Sequence, residues 1–208
     1  TLERLSFDFY MPEFLHEKKA VEECLHPYFF VLGRGISTKK EPSVFSVWRT
    51  RARKSFDGTP REASYIKYLS NLWNAVRIAF VNEFGDAIGR PTDKKKLNEI
   101  EDILAFLFDN RGYLRYGRSF GGHCLPKDTR AFMAWYGKNS PMPLLHGTYE
   151  SNTQHAKLEK ELPLIPEWFS EWPDRQISGQ RALHELWYVV KKYATHPALV
   201  WQRITKGL

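Results

Sequence analysis

The stretch Arg61-Glu-Ala-Ser-Tyr-Ile-Lys67-Tyr-Leu-Ser-Asn71-Leu-Trp73-Asn-Ala-Val76-Arg-Ile-Ala-Phe80-Val-Asn-Glu83 decides the fold. Ile66, Leu69, Trp73, Val76 and Phe80 recur every three to four residues, the period of an apolar stripe on a helix, and the pattern runs from Glu62 to Phe84. Ile78 and Val81 lie off that stripe. A helix that is apolar most of the way round needs cover on two sides. Asp57-Gly-Thr-Pro60 ahead of it reads as a turn, and Pro60 suits a helix's opening turn. Lys67 and Asn71 stand four apart and share a face, bordered by Tyr65, Ile66, Tyr68, Leu69, Leu72 and Trp73. Such a pair can hold an oxyanion by charge and an amide hydrogen bond. The plainer reading is a lysine snorkelling from a core helix beside a surface asparagine.

Outward from this helix, Pro91-Thr-Asp93 is a break, and Lys94 to Phe108 repeats an amphipathic pattern. Asn110 to Cys124 holds four glycines and reads as a binding loop. A helix is expected from Pro126, another from beyond Met142 to about His155, and a last helical region from Ser178 to Arg203. Toward the N-terminus, Ser6–Tyr10 and Tyr28–Leu32 read as strands, with a helix over His16–Leu25 between them. That predicts a β-α-β unit with parallel strands. Two parallel strands alone leave exposed edges, so either something covers them or strands that belong beside them are expected outside this chain. Ser43 to Lys54 reads as a further helix carrying Arg49, Arg51, Arg53 and Lys54.

The 208 residues are 42% apolar and 26% charged, ordinary for a globular protein able to bury a core. No apolar run reaches membrane-spanning length and no signal peptide opens the chain. Cys24 and Cys124 are too few for a disulfide framework or a cysteine-built zinc site, which points to a reducing, cytoplasmic setting. His26, His146, His155, His184 and His196 show no metal-ligand spacing and fit ordinary polar roles. The net charge of +7 suits an anionic partner, a nucleotide diphosphate as well as nucleic acid. Nucleic acid ranks last, because it rests on charge and the Arg49–Lys54 cluster alone. Trp168, Trp172, Trp187 and Trp201 crowd the last quarter, as an interface patch or as packing onto the helical core.

Chemistry concentrates in Gly117-Arg-Ser-Phe120-Gly121-Gly-His-Cys124-Leu-Pro-Lys127-Asp128-Thr129. Glycines let backbone come close to a ligand. A cysteine just ahead of a helix N-terminus, with Lys127 near, sits where a thiolate is favoured. Asp128 can act as a base or orient water. A buried inert thiol is the usual reading of a cysteine, but it fits these neighbours poorly.

Three segments occur in one order: Pro12-Glu13-Phe14-Leu15-His-Glu17, the Lys67/Asn71 helix, and Phe120-Gly-Gly-His-Cys124-Leu-Pro-Lys-Asp128-Thr. Together, from Thr1 to about Gln154, they resemble the UDP-glucose/GDP-mannose dehydrogenase family, NAD-dependent enzymes that oxidise a nucleotide sugar's C6 alcohol to a carboxylate for polysaccharide biosynthesis. The resemblance implies a mainly α fold: a helical dimerisation-type domain with a small N-terminal β-α-β remnant. It divides the chain into residues 1–56, the remnant and connecting helix; 57–154, the helical central domain with the cysteine loop; and 155–208, an aromatic-rich helical extension.

It also implies that Cys124 attacks the aldehyde, giving a thiohemiacetal and then a thioester, with Lys67 and Asn71 on the oxyanion. Asp128 would assist water or proton movement, and Glu13 would handle protons or the hydrolytic water. Phe14, Leu15, Arg115, Phe120 and Gly121 would grip the nucleotide sugar, and Lys127 would approach NAD. A homodimer through the Glu62–Phe84 helix is implied as well.

No G-x-G-x-x-G follows a strand here; Gly33-Arg-Gly35 lacks the third glycine and the helix, so the NAD site is expected to be largely absent from this chain. The family's catalytic threonine falls ahead of Thr1, and no pattern of its second nucleotide-binding domain occurs in Ala156–Leu208. Two functions are therefore expected to compete: a truncated or split nucleotide-sugar 6-dehydrogenase, and a non-catalytic relative serving as a binding or assembly module.

Overall fold

The computed structural model describes residues 7–16, 19–36, 39–109 and 112–162. The expected helical region from Ser178 to Arg203, and the extension beyond residue 162, lie outside the described residues. What is described is mainly α, with one small sheet.

The sheet has three strands in the order β1 (Phe9–Tyr10), β2 (Phe29–Arg34), β3 (Lys54–Gly58). β1 runs antiparallel to β2, pairing Phe9 with Arg34 and Tyr10 with Gly33. This corrects the expected parallel pair. The intervening helix α1 (Ala20–Leu25) has six residues, and none of them belongs to the apolar core packed on the sheet, where a crossover helix must lie. The parallel unit is instead β2–α2–β3, with α2 at Ser43–Arg51 and β2 and β3 in register from Phe29/Lys54 to Gly33/Gly58. The helix expected to reach Lys54 stops at Arg51, and Lys54 begins a strand. Phe30, Leu32 and Ala52 form the core of this layer, with Phe9, Phe45 and Trp48 packed on it.

The main body is built on α3 (Pro60–Ile88), 29 residues long. A capping box starts it: Thr59 Oγ1 accepts from the Glu62 amide, and the Thr59 amide donates to Glu62 Oε2 at 2.8 Å. Its buried face carries Ala63, Asn71, Leu72, Ala75, Ile78, Ala79, Val81, Asn82 and Gly85. The most conspicuous apolar residues face outward: Leu69 is 70% exposed, Trp73 56%, Phe80 54% and Phe84 46%. Small residues hold the inner face because other helices come close there. α4 (Lys94–Phe108) is capped by Asp93, whose carboxylate accepts from the Lys96 amide. Ile100 and Leu104 of α4 meet Val81 and Tyr116 in one core cluster. α5 (Cys124–Tyr136) and α6 (Pro143–Leu158) lie against α3, and a 3₁₀ turn (Glu159–Glu161) follows. Ala75, Ile78, Ala79 and Phe120 make a second cluster, with Tyr113, Leu125 and Tyr149 against it. Among the described residues, no helix is long and apolar enough to cross a membrane.

Candidate active site

Cys124 is the first residue of α5, and it is exposed. It sits inside the first turn rather than ahead of it, because the helix begins two residues before Pro126. Gly122, two positions earlier, has φ of 71°, a left-handed conformation that glycine adopts without strain. One turn on, Asp128 is buried, and its Oδ2 accepts a 2.6 Å hydrogen bond from Asn71 Nδ2. This bond ties the centre of α3 to the turn that presents the thiol. Lys127, mostly exposed, sits 3.4 Å from the other oxygen of Asp128.

One turn back along α3, Lys67 Nζ donates to the Glu13 main-chain oxygen at 2.5 Å and to Glu13 Oε1 at 3.2 Å. Burial would push the Glu13 carboxyl up, yet the Leu15 amide on Oε2 and the Lys67 charge hold it below its ordinary value, helped by Lys127. The Phe14 ring lies beneath the Lys67 ammonium, 5.3 Å from its centroid, and packs on Phe29. Tyr10 of β1 feels both Glu13 and Asp128; its hydroxyl is pushed up mainly by burial. Glu13–Lys67 and Asn71–Asp128–Lys127 are thus two bonded groups one turn apart on α3, linked by the charge of Lys127 acting on Glu13.

The other expected site residues are placed differently. Phe120 is buried, its ring in the second core cluster against Tyr149. Gly121 is exposed with open space above its Cα. The Arg115 guanidinium is paired with Glu101 of α4 at 3.1 Å.

Several residues here escaped the sequence reading. Tyr113, held at φ of 58°, packs against the same core cluster as Leu125 and shares an electrostatic interaction with Cys124. Its hydroxyl, pushed up to about 12 mainly by burial, meets His16 Nε2 at 2.5 Å, and His16 Nδ1 meets Glu23 at 2.6 Å. Asn82, Asn152, His155 and Glu159 all bond to the backbone of the cysteine loop. Nothing in a single sequence marks these four, except that Asn82 falls in the register of the buried face of α3.

Residues 61–154 match the sequence profile described as the UDP-glucose/GDP-mannose dehydrogenase family, central domain. The GDP-mannose 6-dehydrogenase of Azotobacter vinelandii is 32% identical over 162 residues, covering 74% of this chain and 35% of that protein. These residues are a central domain of the UDP-glucose/GDP-mannose dehydrogenase family. The UDP-glucose 6-dehydrogenase of Campylobacter jejuni is 30% identical over 162 residues, 74% of this chain and 39% of that one. A solved UDP-glucose dehydrogenase from Pyrobaculum islandicum superposes with a TM-score of 0.56 at 28% identity, covering 70% of this chain and 34% of its own. The chain spans about a third of the length of these curated relatives.

Pyrophosphate binding needs close glycine backbone and free amides where a helix begins. Before α2 stand Glu41 and Pro42 instead, and the guanidinium groups of Arg34 and Arg49 are both already bonded to Glu41 and Asp57. These residues do not fit the phosphates of NAD.

Proposed function

We propose that this chain carries the thiol half of a nucleotide-sugar 6-dehydrogenase active site, in a truncated or split form of the enzyme. The Asn71–Asp128 bond is the observation that carries this reading, because it joins the oxyanion candidates on α3 to the turn holding Cys124. On this reading NAD serves the oxidations and is held by residues outside the described β2–α2–β3 unit.

The chain's own chemistry is then addition and hydrolysis. The Cys124 thiolate forms a C–S bond to the C6 aldehyde carbon of a nucleotide sugar, and the carbonyl electron pair moves onto oxygen. A lysine ammonium has three protons and an amide nitrogen two. Lys67 donates to two oxygens of Glu13, and Asn71 Nδ2 to one of Asp128, so each keeps a proton for the new oxyanion. When water later attacks the thioester, Glu13, kept ionised by the Leu15 amide and Lys67, is the carboxylate ready to take its proton. The thiolate is then the leaving group. Phe14, Leu15, Arg115, Phe120 and Gly121 are assigned to gripping the nucleotide sugar, and Lys127 to the cofactor side.

The outward stripe of Leu69, Trp73, Phe80 and Phe84 on α3 supports a homodimer in which two copies of this helix pack together. The free thiols of Cys24 and Cys124 suit a cytoplasmic setting. The same stripe would serve the second reading, a non-catalytic relative acting as an assembly module.

Thiol labelling separates the two. Both cysteines are exposed, but Cys24 lies in the last turn of α1 beside Glu22 and Glu23, whereas Cys124 opens α5 near Lys127. Cys124 is expected to alkylate faster than Cys24 near neutral pH, and millimolar UDP-glucose or GDP-mannose is expected to slow it. Equal or slower labelling of Cys124, read by mass spectrometry, would leave the assembly reading.

A further inference from the structure

The segment from Gly117 to Phe120 has no regular secondary structure, yet most of its polar backbone is held by side chains. Asn82 Oδ1 accepts from the Gly117 amide and its Nδ2 donates to the Arg118 carbonyl. Glu159 accepts from the Ser119 amide, and Asn152 bonds both the amide and the carbonyl of Phe120. The Gly117 carbonyl is taken by His155, whose side chain is 2% exposed.

His155 Nε2 lies 2.8 Å from the Gly117 oxygen, and Nδ1 lies 2.7 Å from Asp86 Oδ2. A carbonyl oxygen can only accept, and so can an ionised carboxylate; the second oxygen of Asp86 already receives the Tyr116 hydroxyl at 2.7 Å. A neutral imidazole has one N–H and would set a lone pair against one of the two oxygens. Only the imidazolium donates to both.

We propose that His155 is a protonated clamp on the cysteine loop, and that loss of its proton releases the Gly117 carbonyl and loosens residues 117–123. It is a positioning residue for Cys124 and rests on the reading of that thiol as the reactive group. On deprotonation the remaining proton stays on Nδ1, where the carboxylate is the stronger acceptor, so the Gly117 contact is the one that fails.

The charges around the ring favour this state. Burial opposes the cation, but Asp86 of α3, the Gly117 carbonyl and Glu159, 3.9 Å from Nε2, outweigh it and raise the ring's pKa above the ordinary histidine value. Tyr116, pushed up by burial and by Asp86, keeps its proton, and Arg90, paired with Glu161, acts on Tyr116 from beyond. The sign follows: a raised folded-state pKa means the clamp is fully present below the unfolded value and is lost as pH rises through the folded one.

The test follows hydrogen exchange in residues 117–123 of the whole 208-residue chain from pH 6 to 10, normalised to the unfolded peptide. The His155 titration is read by NMR in the same samples. Wild type is expected to lose protection by roughly tenfold beyond the normal base catalysis, with a midpoint at the His155 titration. His155→Gln keeps an amide donor and cannot titrate, so the step should vanish. Asp86→Asn should move the step to lower pH, and it decides the matter alone if His155→Gln fails to fold. A wild-type loop with no step at the His155 midpoint, the same step in His155→Gln, or an unmoved step in Asp86→Asn would overturn the clamp. Slow Cys124 alkylation beside an intact exchange step would instead end the catalytic reading and leave the clamp standing.

Discussion

Replacing Asn152 by alanine tests whether the cysteine loop owes its shape to side chains on α6. Asn152 is buried; its Oδ1 accepts from the Phe120 amide at 2.6 Å and its Nδ2 donates to the Phe120 carbonyl at 3.0 Å. Alanine leaves both main-chain groups without a partner in a buried place. Each unmade buried hydrogen bond costs about 1–3 kcal/mol, and water entering the vacated volume recovers part of that. We expect a loss of about 3 kcal/mol, a large fraction of the ~5–15 kcal/mol typical of a folded domain. In a chain of this size that lowers Tm by roughly 6–12 °C. Urea unfolding followed by circular dichroism measures it, with an unchanged m value showing that the unfolded reference is the same. Asn152→Asp keeps one acceptor but turns an anion toward the Phe120 carbonyl, and should cost at least as much. Thr153→Ala removes only an exposed bond to the Tyr149 carbonyl and should stay within about 0.5 kcal/mol. If Asn152→Ala also stayed within about 0.5 kcal/mol, the loop would be holding itself and the reasoning would be wrong.

Trp73 and Phe80 are half-exposed in the single chain, so aspartate at either should keep the fold while converting a dimer into a soluble monomer; a wild-type monomer at micromolar concentration in sedimentation would refute the α3 interface. Because that contact is apolar, the dimer should survive high salt. A Cβ on Gly85 would stand 2.2 Å from Tyr116 Cδ2, so Gly85→Ala should cost about 1–3 kcal/mol in urea unfolding despite the better helix propensity of alanine, and a neutral result would mean that Tyr116 swings aside. Calorimetry should show no appreciable binding of NAD to this 208-residue polypeptide, because Glu41 and Asp57 occupy both arginines at the α2 turn; tight binding would overturn that.

Where local chemistry decides structure, the chain was readable. Asp93 ahead of Lys94 marks the start of α4 as observed, and Thr59-Pro60 with Glu62 sets the first turn of α3. β3 was not readable, because Lys54-Ser-Phe-Asp-Gly58 has one apolar residue and follows a basic helix with no break. The antiparallel direction of β1 is not legible, because a helical pattern does not say where the helix packs: Phe45 and Trp48 of α2 lie on the core of the sheet and no residue of α1 does. On α3 the large apolar side chains mark the outward stripe, while the inner face sets Ala75, Ala79 and Gly85 among Leu72, Ile78 and Val81, and the worth of the small residues lies in how little room they take. In the site, motif order names Glu13, Lys67, Asn71 and Asp128, but the pairing of Lys67 with Glu13 and of Asn71 with Asp128 crosses 54 and 57 residues of sequence and shows only in the structure. Asn82, Asn152 and His155 act on main-chain atoms far along the sequence, a relation no local pattern encodes.

The ties from α3, α6 and the 3₁₀ turn reach only main-chain nitrogen and oxygen atoms of residues 117–120, which every amino acid except proline supplies in full. Shape and chemistry are therefore separable cargo. Residues 121 and 123 are exposed and take no part in those ties, so substitution there can give the loop a new preference while its path is inherited from its supports; Gly122, at φ of 71°, has to stay glycine. A library confined to residues 121 and 123 would explore recognition on a fixed track, whereas one that touched Gly122, Asn82 or Asn152 would move the track itself.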